Sequence, residues 1–394
     1  MKFSASASLM RRLNRSAILD LIRAEGTISR TQIGRRLNLS LPTVMRIVDD
    51  LIEVGLVMDD GAAESTGGRP RSLLKFNGRA AAVVGIDLGG TQMFGTVADL
   101  AGNIQAEKYL TPDGEDGPAN LAHLFELIDH LLAASRPAGQ AIRGIGIGAP
   151  GITQHSEGIV TWAPSLNWRD LPLNKLLAER YKLPVFVEND VNLAALGEYG
   201  FGSCKGAASL VLLAVGTGIG AGIVIDRQIY RGYHQSAGEI GYLPPDSSYL
   251  NHRYEGFGAL ESLASVTGVA RRARQVLQQM QVSHPADVSG EEVFNAASRG
   301  EAWARAVVAE TANYLSLAVA AISTLIDPEV VILGGGVVTY ADLLIPLIQE
   351  HLAGVIPVVP LLKPSSLGFR AAVMGAIMMV LDATTEHVFI QRIS

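Results

Sequence analysis

The residues best placed to do chemistry stand where apolar runs meet glycine. Val83-Val84-Gly85-Ile86 reads as a buried strand that ends at Asp87 and turns through Leu88-Gly89-Gly90-Thr91 into a second strand reaching Val97. Glycine turns at a hairpin tip bind phosphate through backbone N–H groups and a hydroxyl, and an aspartate there can hold Mg²⁺ through water. The arrangement recurs: residues 210–215 form a strand, Gly216-Thr217-Gly218-Ile219-Gly220-Ala221-Gly222 a turn, and residues 223–225 another strand. A hairpin that merely needs positive φ angles would explain one such turn. Two, each with a threonine, point to phosphate. A third cluster, Gly334-Gly335-Gly336, follows the strand 330–333, where close backbone approach would let a flat nucleoside lie against the chain.

Between these turns, the strand 185–187 ends in Glu188-Asn189-Asp190, ahead of a helix over 191–198. A carboxylate at that end of an α/β strand is placed to accept a proton from a hydroxyl. The plain alternative is that Asp190 caps the helix, since Asp is a favoured cap. Capping leaves the preceding Asn189 unexplained, whereas a polyol would use its donor and its acceptor together.

Strand, tight glycine turn and strand, with a third strand after Gly102-Asn103, differ from the strand-turn-helix of a dinucleotide fold. The two glycine turns read as the cores of two related α/β halves. Ahead of them the pattern is helical. Leu9, Leu13, Ile18, Leu21 and Ile22 recur at helical spacing. Ser29 with Gln32 forms a capping box that opens a short helix through Leu37, and Ser40 is expected to cap a third helix with Pro42 in its first turn. Val44, Ile47, Val48, Leu51 and Ile52 bury one face of that helix and leave Ser40, Thr43 and Arg46 outward. Two strands, 56–58 and 72–76, then flank a loop containing Gly67-Gly68-Arg69-Pro70-Arg71. This is the order of a winged helix-turn-helix, its third helix the reader and its arginine pair, Arg69 and Arg71, suited to phosphates or a narrow minor groove. A small helical interaction domain is the plain alternative.

Charge supports the DNA reading. The chain of 394 residues has a net charge of -6, but residues 1–77 carry 12 Lys and Arg against 8 Asp and Glu, and the remainder 20 against 30. A basic head thus precedes an acidic body. With 48% hydrophobic and 18% charged residues, the chain is globular and long enough for two or three domains. Cys204 is the single cysteine, which excludes a disulfide framework or a cysteine-rich metal site. No run of about 18 apolar residues occurs and no secretion signal opens the chain, so no membrane is expected and the protein is placed in the cytoplasm.

Several segments together resemble the ROK family (repressors, open reading frames and kinases) of the hexokinase/actin-like superfamily. They are GIDLGGT (85–91), GIGIGAPG (144–151), APSLNW (163–168), VENDVNLAALGE (187–198), AVGTGIGAGIV (214–224), SAGEIGY (236–242), GALES (258–262) and VVILGGGVV (330–338). The resemblance implies an α/β chain: a winged helix-turn-helix (1–77) followed by a two-lobed actin-like/hexokinase-type (ribonuclease-H-like) ATPase fold. The first lobe is expected over 82–188, completed by a C-terminal helix at 371–394, and the second over 189–370. It further implies that Asp87, Gly89, Gly90, Thr91, Gly216, Thr217 and Gly218 match the ATP-phosphate turns, to which the glycine cluster read above adds Gly335 and Gly336 as nucleotide-binding candidates. Asp190 matches the catalytic base, and Asn167, Asn189, Asp190, Glu239, Tyr242 and Glu261 the sugar site. The family often carries a histidine where Tyr242 stands and a cysteine-rich stretch where residues 252–261 lie, together holding zinc. Here the cysteines are gone, and His252 alone cannot hold a tetrahedral ion, so no zinc is expected.

Three functions follow. A sugar-responsive repressor would bind operator DNA through the winged helix and a monosaccharide between the lobes, as a homodimer or dimer of dimers. A sugar kinase with a DNA-binding arm would use Asp190 as base and ATP with Mg²⁺. A dimerising platform with a decayed pocket would bind neither ligand, and the retained polar residues speak against it.

Overall fold

The computed structural model describes residues 7–62, 72–89, 92–111, 116–135, 139–254, 258–281 and 288–384. Gly90, Thr91, Arg69, Arg71 and residues 385–394 therefore lie outside the described residues.

The head begins with α1 (Ala7–Glu25), β1 (Thr27–Ser29), α2 (Arg30–Leu37) and α3 (Leu41–Glu53), followed by β2 (Val57–Ala62) and β3 (Ser72–Phe76). The Ser29–Gln32 capping box is present, and α2 closes on Asn38 in the left-handed region (φ 52°), which makes the tight turn into α3. Val44, Ile47, Val48 and Leu51 bury one face of α3 as their spacing requires. Ser40 occupies the N-cap position of α3, but its side chain makes no cap: its hydroxyl pairs with Thr43 Oγ1 at 2.8 Å. Pro42, in the first turn, has no N–H to offer it. The short β1 joins the β2–β3 hairpin in a sheet ordered β1-β3-β2.

The body contains two five-stranded sheets of matching design. The first comprises β4 (Ala81–Leu88), β5 (Met93–Asp99), β6 (Ile104–Leu110), β7 (Ala141–Ala149) and, after a small arm of β8 (Ile152–Gln154), β9 (Ile159–Ala163) and β10 (Trp168–Leu171), the strand β11 (Val185–Asn189). Helices α4 (Gly117–Ser135) and α5 (Leu173–Tyr181) accompany it, and α6 (Asp190–Phe201) follows. The second comprises β12 (Ser209–Val215), β13 (Ile219–Ile225), β14 (Gln228–Ile229), β15 (Val330–Gly334) and β16 (Leu361–Pro364), with α7 (Ala259–Ala264), α8 (Val266–Gln279), α9 (Gly290–Ser298), α10 (Ala302–Ile326) and α11 (Ala341–Leu352), before α12 (Ala371–Thr384). Strand orders β11-β7-β4-β5-β6 and β14-β13-β12-β15-β16 are the same order read from opposite ends: three antiparallel strands, then two parallel ones. The repeated glycine hairpins are the first two strands of each half.

The glycine turn after β12 is shorter than its glycine content suggests, because β13 already begins at Ile219. Gly220 and Gly222 belong to the strand, where a Cβ on Gly222 would collide with the Val191 carbonyl of α6. These glycines serve close helix–strand packing rather than a turn. Helix α10 is long and apolar enough for a membrane span by composition, but Val307, Val308, Leu315, Val319 and Ile322 pack into the core of the second sheet's layer.

Helix α12 binds the parts together. A Cβ on Gly375 would collide with Leu193 O of α6, and one on Gly197 with Ala371 O, so the two helices cross backbone to backbone. On its other side Met374, Ile377, Val380 and Leu381 share one hydrophobic cluster with Val83, Ala98 and Leu100 of the first sheet and Ile18, Leu19 and Ile22 of the head.

Candidate functional site

Asn189, not Asp190, caps α6. Its backbone is extended (φ -64°, ψ 140°), its Oδ1 accepts from Asn192 N–H at 3.0 Å, and its Nδ2 donates to Gly151 O at 3.0 Å. One N–H of the amide and one lone pair of its oxygen are engaged within the protein, which leaves Asp190 clear of the capping role. Asp190 sits one residue inside the helix, where its Oδ1 accepts from Val191 N–H at 2.9 Å.

Asp190 faces Asp87 across a cleft of about 160 Å³ whose walls include Leu212, Ala214, Gly334, Gly335, Phe369 and the first turn of α12. Neither carboxylate has an ion-pair partner among the described residues. Burial, and then the charge of Asp190, pushes Asp87 up to about 8. Burial pushes Asp190 up to about 6 against the Val191 hydrogen bond, with Glu239 adding to the rise. Glu239 stands at the open rim, yet the surrounding walls and then the Glu261 charge hold its carboxyl above the ordinary range. Burial also raises Glu261, whose Oε2 accepts from Ile219 N–H at 2.8 Å. Tyr242, more than half exposed, is raised by burial and by Glu239 and Glu261. Five expected site residues, from β4, α6, the 239–242 turn and α7, thus share one acidic field. Asn167 does not join it. It is exposed, left-handed (φ 52°) and placed between β9 and β10, and among the described residues it has no hydrogen bond to these carboxylates.

Of the expected glycines, Gly335 lines this cleft together with Gly334. The Gly216–Gly218 turn closes on itself (Gly216 N–H to Gly218 O, 2.8 Å), exposing Thr217 between them, and Gly216 O accepts from Val266 N–H at 2.8 Å. A Cβ on Gly216 would stop 4.0 Å from Gly336 N, so these two backbones face each other across open space. Gly335 takes φ 77°, next to Val215. Gly89 follows Leu88, the last residue of β4. Two hard carboxylates and facing glycine backbones suit Mg²⁺ and a polyphosphate. The cleft itself is smaller than the roughly 300–1,000 Å³ of typical ligand pockets. Among the described residues no group of three or more His, Cys, Asp or Glu side chains is gathered to hold a metal.

Sequence reasoning passed over three supporting residues. Glu188, at the end of β11, pairs with Arg231 (Nε to Oε2, 2.6 Å). Glu198, fully buried on α6, accepts from Ser365 Oγ at 2.6 Å, Ser366 Oγ at 2.8 Å and Leu367 N–H at 2.8 Å, fixing the loop that presents Phe369 to the cleft. Their partners lie far away in the chain, and the one local signal was their place in the motif 187–198.

On the head, Ser40 and Arg46 are exposed and Thr43 half-buried on α3, and Arg46 makes no ion pair among the described residues. Behind them Arg23 of α1 donates to Leu100 O at 2.7 Å and lies 4.7 Å over the Phe76 ring. Arg23 and Arg227, the latter in the β13–β14 turn, both act on Asp382 of α12, whose carboxyl burial pushes up to about 7. The far end of α12 is therefore a junction of head, first sheet and second sheet.

A winged helix joined to two sugar-kinase-like lobes defines a DNA-binding protein of the hexokinase/actin-like class. The ROK family model matches residues 83–383, and a winged helix-turn-helix DNA-binding model matches residues 11–58. The chain belongs to the ROK family, in the architecture that adds a DNA-binding head. It is 30% identical to the xylose repressor of Caldicellulosiruptor bescii over 95% of this chain and 97% of that one. A crystal structure of a ROK family transcriptional regulator, a homologue of the E. coli MLC protein, superposes with a TM-score of 0.84 at 25% identity, covering 96% of this chain and 97% of that one. A ROK family glucokinase from Streptomyces griseus, solved with glucose and AMPPNP, gives a TM-score of 0.67 at 27% identity and covers 76% of this chain and 99% of that one.

Proposed function

We propose that the protein is a sugar-responsive transcriptional repressor that binds operator DNA through α3 and the wing, and a monosaccharide in the acidic interlobe cleft. The observation that carries this reading is α12: its first turn lines the cleft and its last turns share a core with the DNA-binding head. A sugar that draws the lobes together shifts α12 against α1, and it changes operator affinity to the extent that it prefers one lobe arrangement over the other. Similarity to repressors runs the length of the chain, whereas the glucokinase likeness stops at the body.

Asp190, Glu239, Glu261 and Tyr242 are the sugar contacts in this reading, with Asn189 holding the end of β11 and Asn167 shaping the outer wall. The named relative points to a pentose such as D-xylose, and the kinase neighbour to D-glucose. Ser40, Thr43 and Arg46 read the operator, with Arg69 and Arg71 of the wing. A homodimer places two heads on two half-sites, because one recognition helix reads only a short sequence. The protein works in the cytoplasm, beside its operator.

ATP with Mg²⁺, if bound, would be held by Asp87, Gly89, Gly90, Thr91, Gly216, Thr217, Gly218, Gly335 and Gly336, and would supply a phosphoryl group. Asp190 would then take the proton of the sugar hydroxyl. Calorimetric titration with D-xylose and D-glucose tests the sugar reading. Binding that is lost in Glu261→Ala supports it, and no heat with either sugar, in protein that still binds its operator, rejects it. A coupled ADP-release assay beside Asp190→Asn separates binding from phosphorylation.

A further inference from the structure

Glu188 takes no part in the contacts proposed above, yet it is only 1% exposed and both of its oxygens are engaged. Oε2 accepts from Arg231 Nε at 2.6 Å and lies 3.3 Å from His155 Nδ1, while Oε1 accepts from Asn192 Nδ2 and from Asn189 N–H, each at 3.0 Å. His155 comes from the β8–β9 connection, Asn192 from α6, and Arg231 from the loop beyond β14, which belongs to the second sheet. One buried carboxylate therefore ties together three segments on both sides of the cleft.

Arg231 begins a strap that ends at Glu239. The strap is fixed within itself and to the second sheet: Ala237 N–H donates to Arg231 O at 3.0 Å, Ala221 N–H of β13 donates to Gly238 O at 2.7 Å, and Gly232, Gln235 and Gly238 all take left-handed backbone (φ 72°, 60° and 90°). A stiff strap transmits the position of its first residue to its last. On the other wall, Glu188 holds the amide of Asn189, immediately before Asp190. Buried ion pairs seldom add stability over a well-packed apolar pair, and in some proteins they fix a geometry instead.

We infer that the Glu188–Arg231 pair is a positioning brace that sets the separation of Asp190 and Glu239, and hence the fit of the sugar between them. This inference rests on the sugar reading proposed above. Neither residue touches the sugar in it; both act through their neighbours.

The test uses the full chain with Glu188→Gln, Arg231→Gln, the double variant and Arg231→Lys. Three measurements are made on each: calorimetric titration with D-xylose and D-glucose, thermal melting, and operator binding without sugar. The brace predicts a loss of sugar affinity of roughly 10- to 100-fold in each Gln variant, as when an outer support of a binding side chain is removed. The double variant should be no worse than the singles, because one contact is lost in all three. Arg231→Lys, which keeps the charge, should recover part of the loss, and operator binding should stay at the wild-type level. Wild-type sugar affinity in the Gln variants, additive losses in the double variant, or a parallel fall in melting temperature and operator binding would each overturn the brace. If the wild type itself binds neither sugar, the sugar reading fails and the brace falls with it.

Discussion

Replacing Asp190 by asparagine should make the sugar-free protein more stable at pH 8, and by only about half as much at pH 5. The carboxyl of Asp190 is lifted from an ordinary 3.8 to about 6 by burial, with Glu239 adding to the rise. A group whose folded-state pKa is raised lends its full contribution below its unfolded pKa, and that contribution fades as pH climbs through the folded value. The window here runs from about pH 4 to pH 6, so at pH 8 the native cleft carries the whole penalty. At about 1.4 kcal/mol per pKa unit it amounts to about 3 kcal/mol. The half-open cleft screens this to about 1–2 kcal/mol. The asparagine side chain keeps an oxygen acceptor for Val191 N–H and removes the charge facing Asp87, so the Asp87 carboxyl should also fall from about 8. Thermal melting of wild type and Asp190→Asn at pH 5 and pH 8 reads the difference directly. A variant that is less stable than wild type at pH 8, or equally displaced at both pH values, would refute the claim that Asp190 is held ionised against its surroundings.

Arg46→Ala should weaken operator binding and lower the slope of log affinity against log salt by about 0.9, the value for one lost phosphate contact, read in a salt series; an unchanged slope would take Arg46 off the DNA backbone. Gly375→Ala forces a Cβ into Leu193 O and should cost more than about 3 kcal/mol, seen in a melting curve, since backbone cannot step aside as a side chain does. Glu198→Ala strips the acceptor from Ser365, Ser366 and Leu367 and should cost about 3–5 kcal/mol, with faster hydrogen exchange confined first to residues 365–370.

Local patterns were readable in the sequence because local physics decides them. The Ser29–Gln32 box, the buried face of α3 and the paired glycine hairpins all depend on spacings of a few residues. Choosing between Asn189 and Asp190 as the cap was harder: either residue type serves, and only the backbone angles at the end of β11 decide. Glycine content misled at Gly220 and Gly222, because a glycine in a strand and one in a turn look alike until the packing helix is known. Ser40 looked like a cap by type, but Pro42 leaves it one fewer N–H to reach. The long-range ties, Glu188 with Arg231 and Glu198 with Ser365, span 43 and 167 residues and follow from the fold alone. So does the core that α12 shares with the head.

In the proposed mechanism one chain binds operator DNA and a sugar in the cleft alters that binding. Fluorescence anisotropy with a labelled fragment from the protein's own upstream region, titrated at low salt with and without saturating D-xylose or D-glucose, tests it most directly. Saturable binding is expected without sugar, with a midpoint displaced by at least about fivefold by one of the two sugars, the lower end of ordinary allosteric coupling. Coincident curves in both sugars, from protein whose calorimetry shows sugar bound, would contradict it.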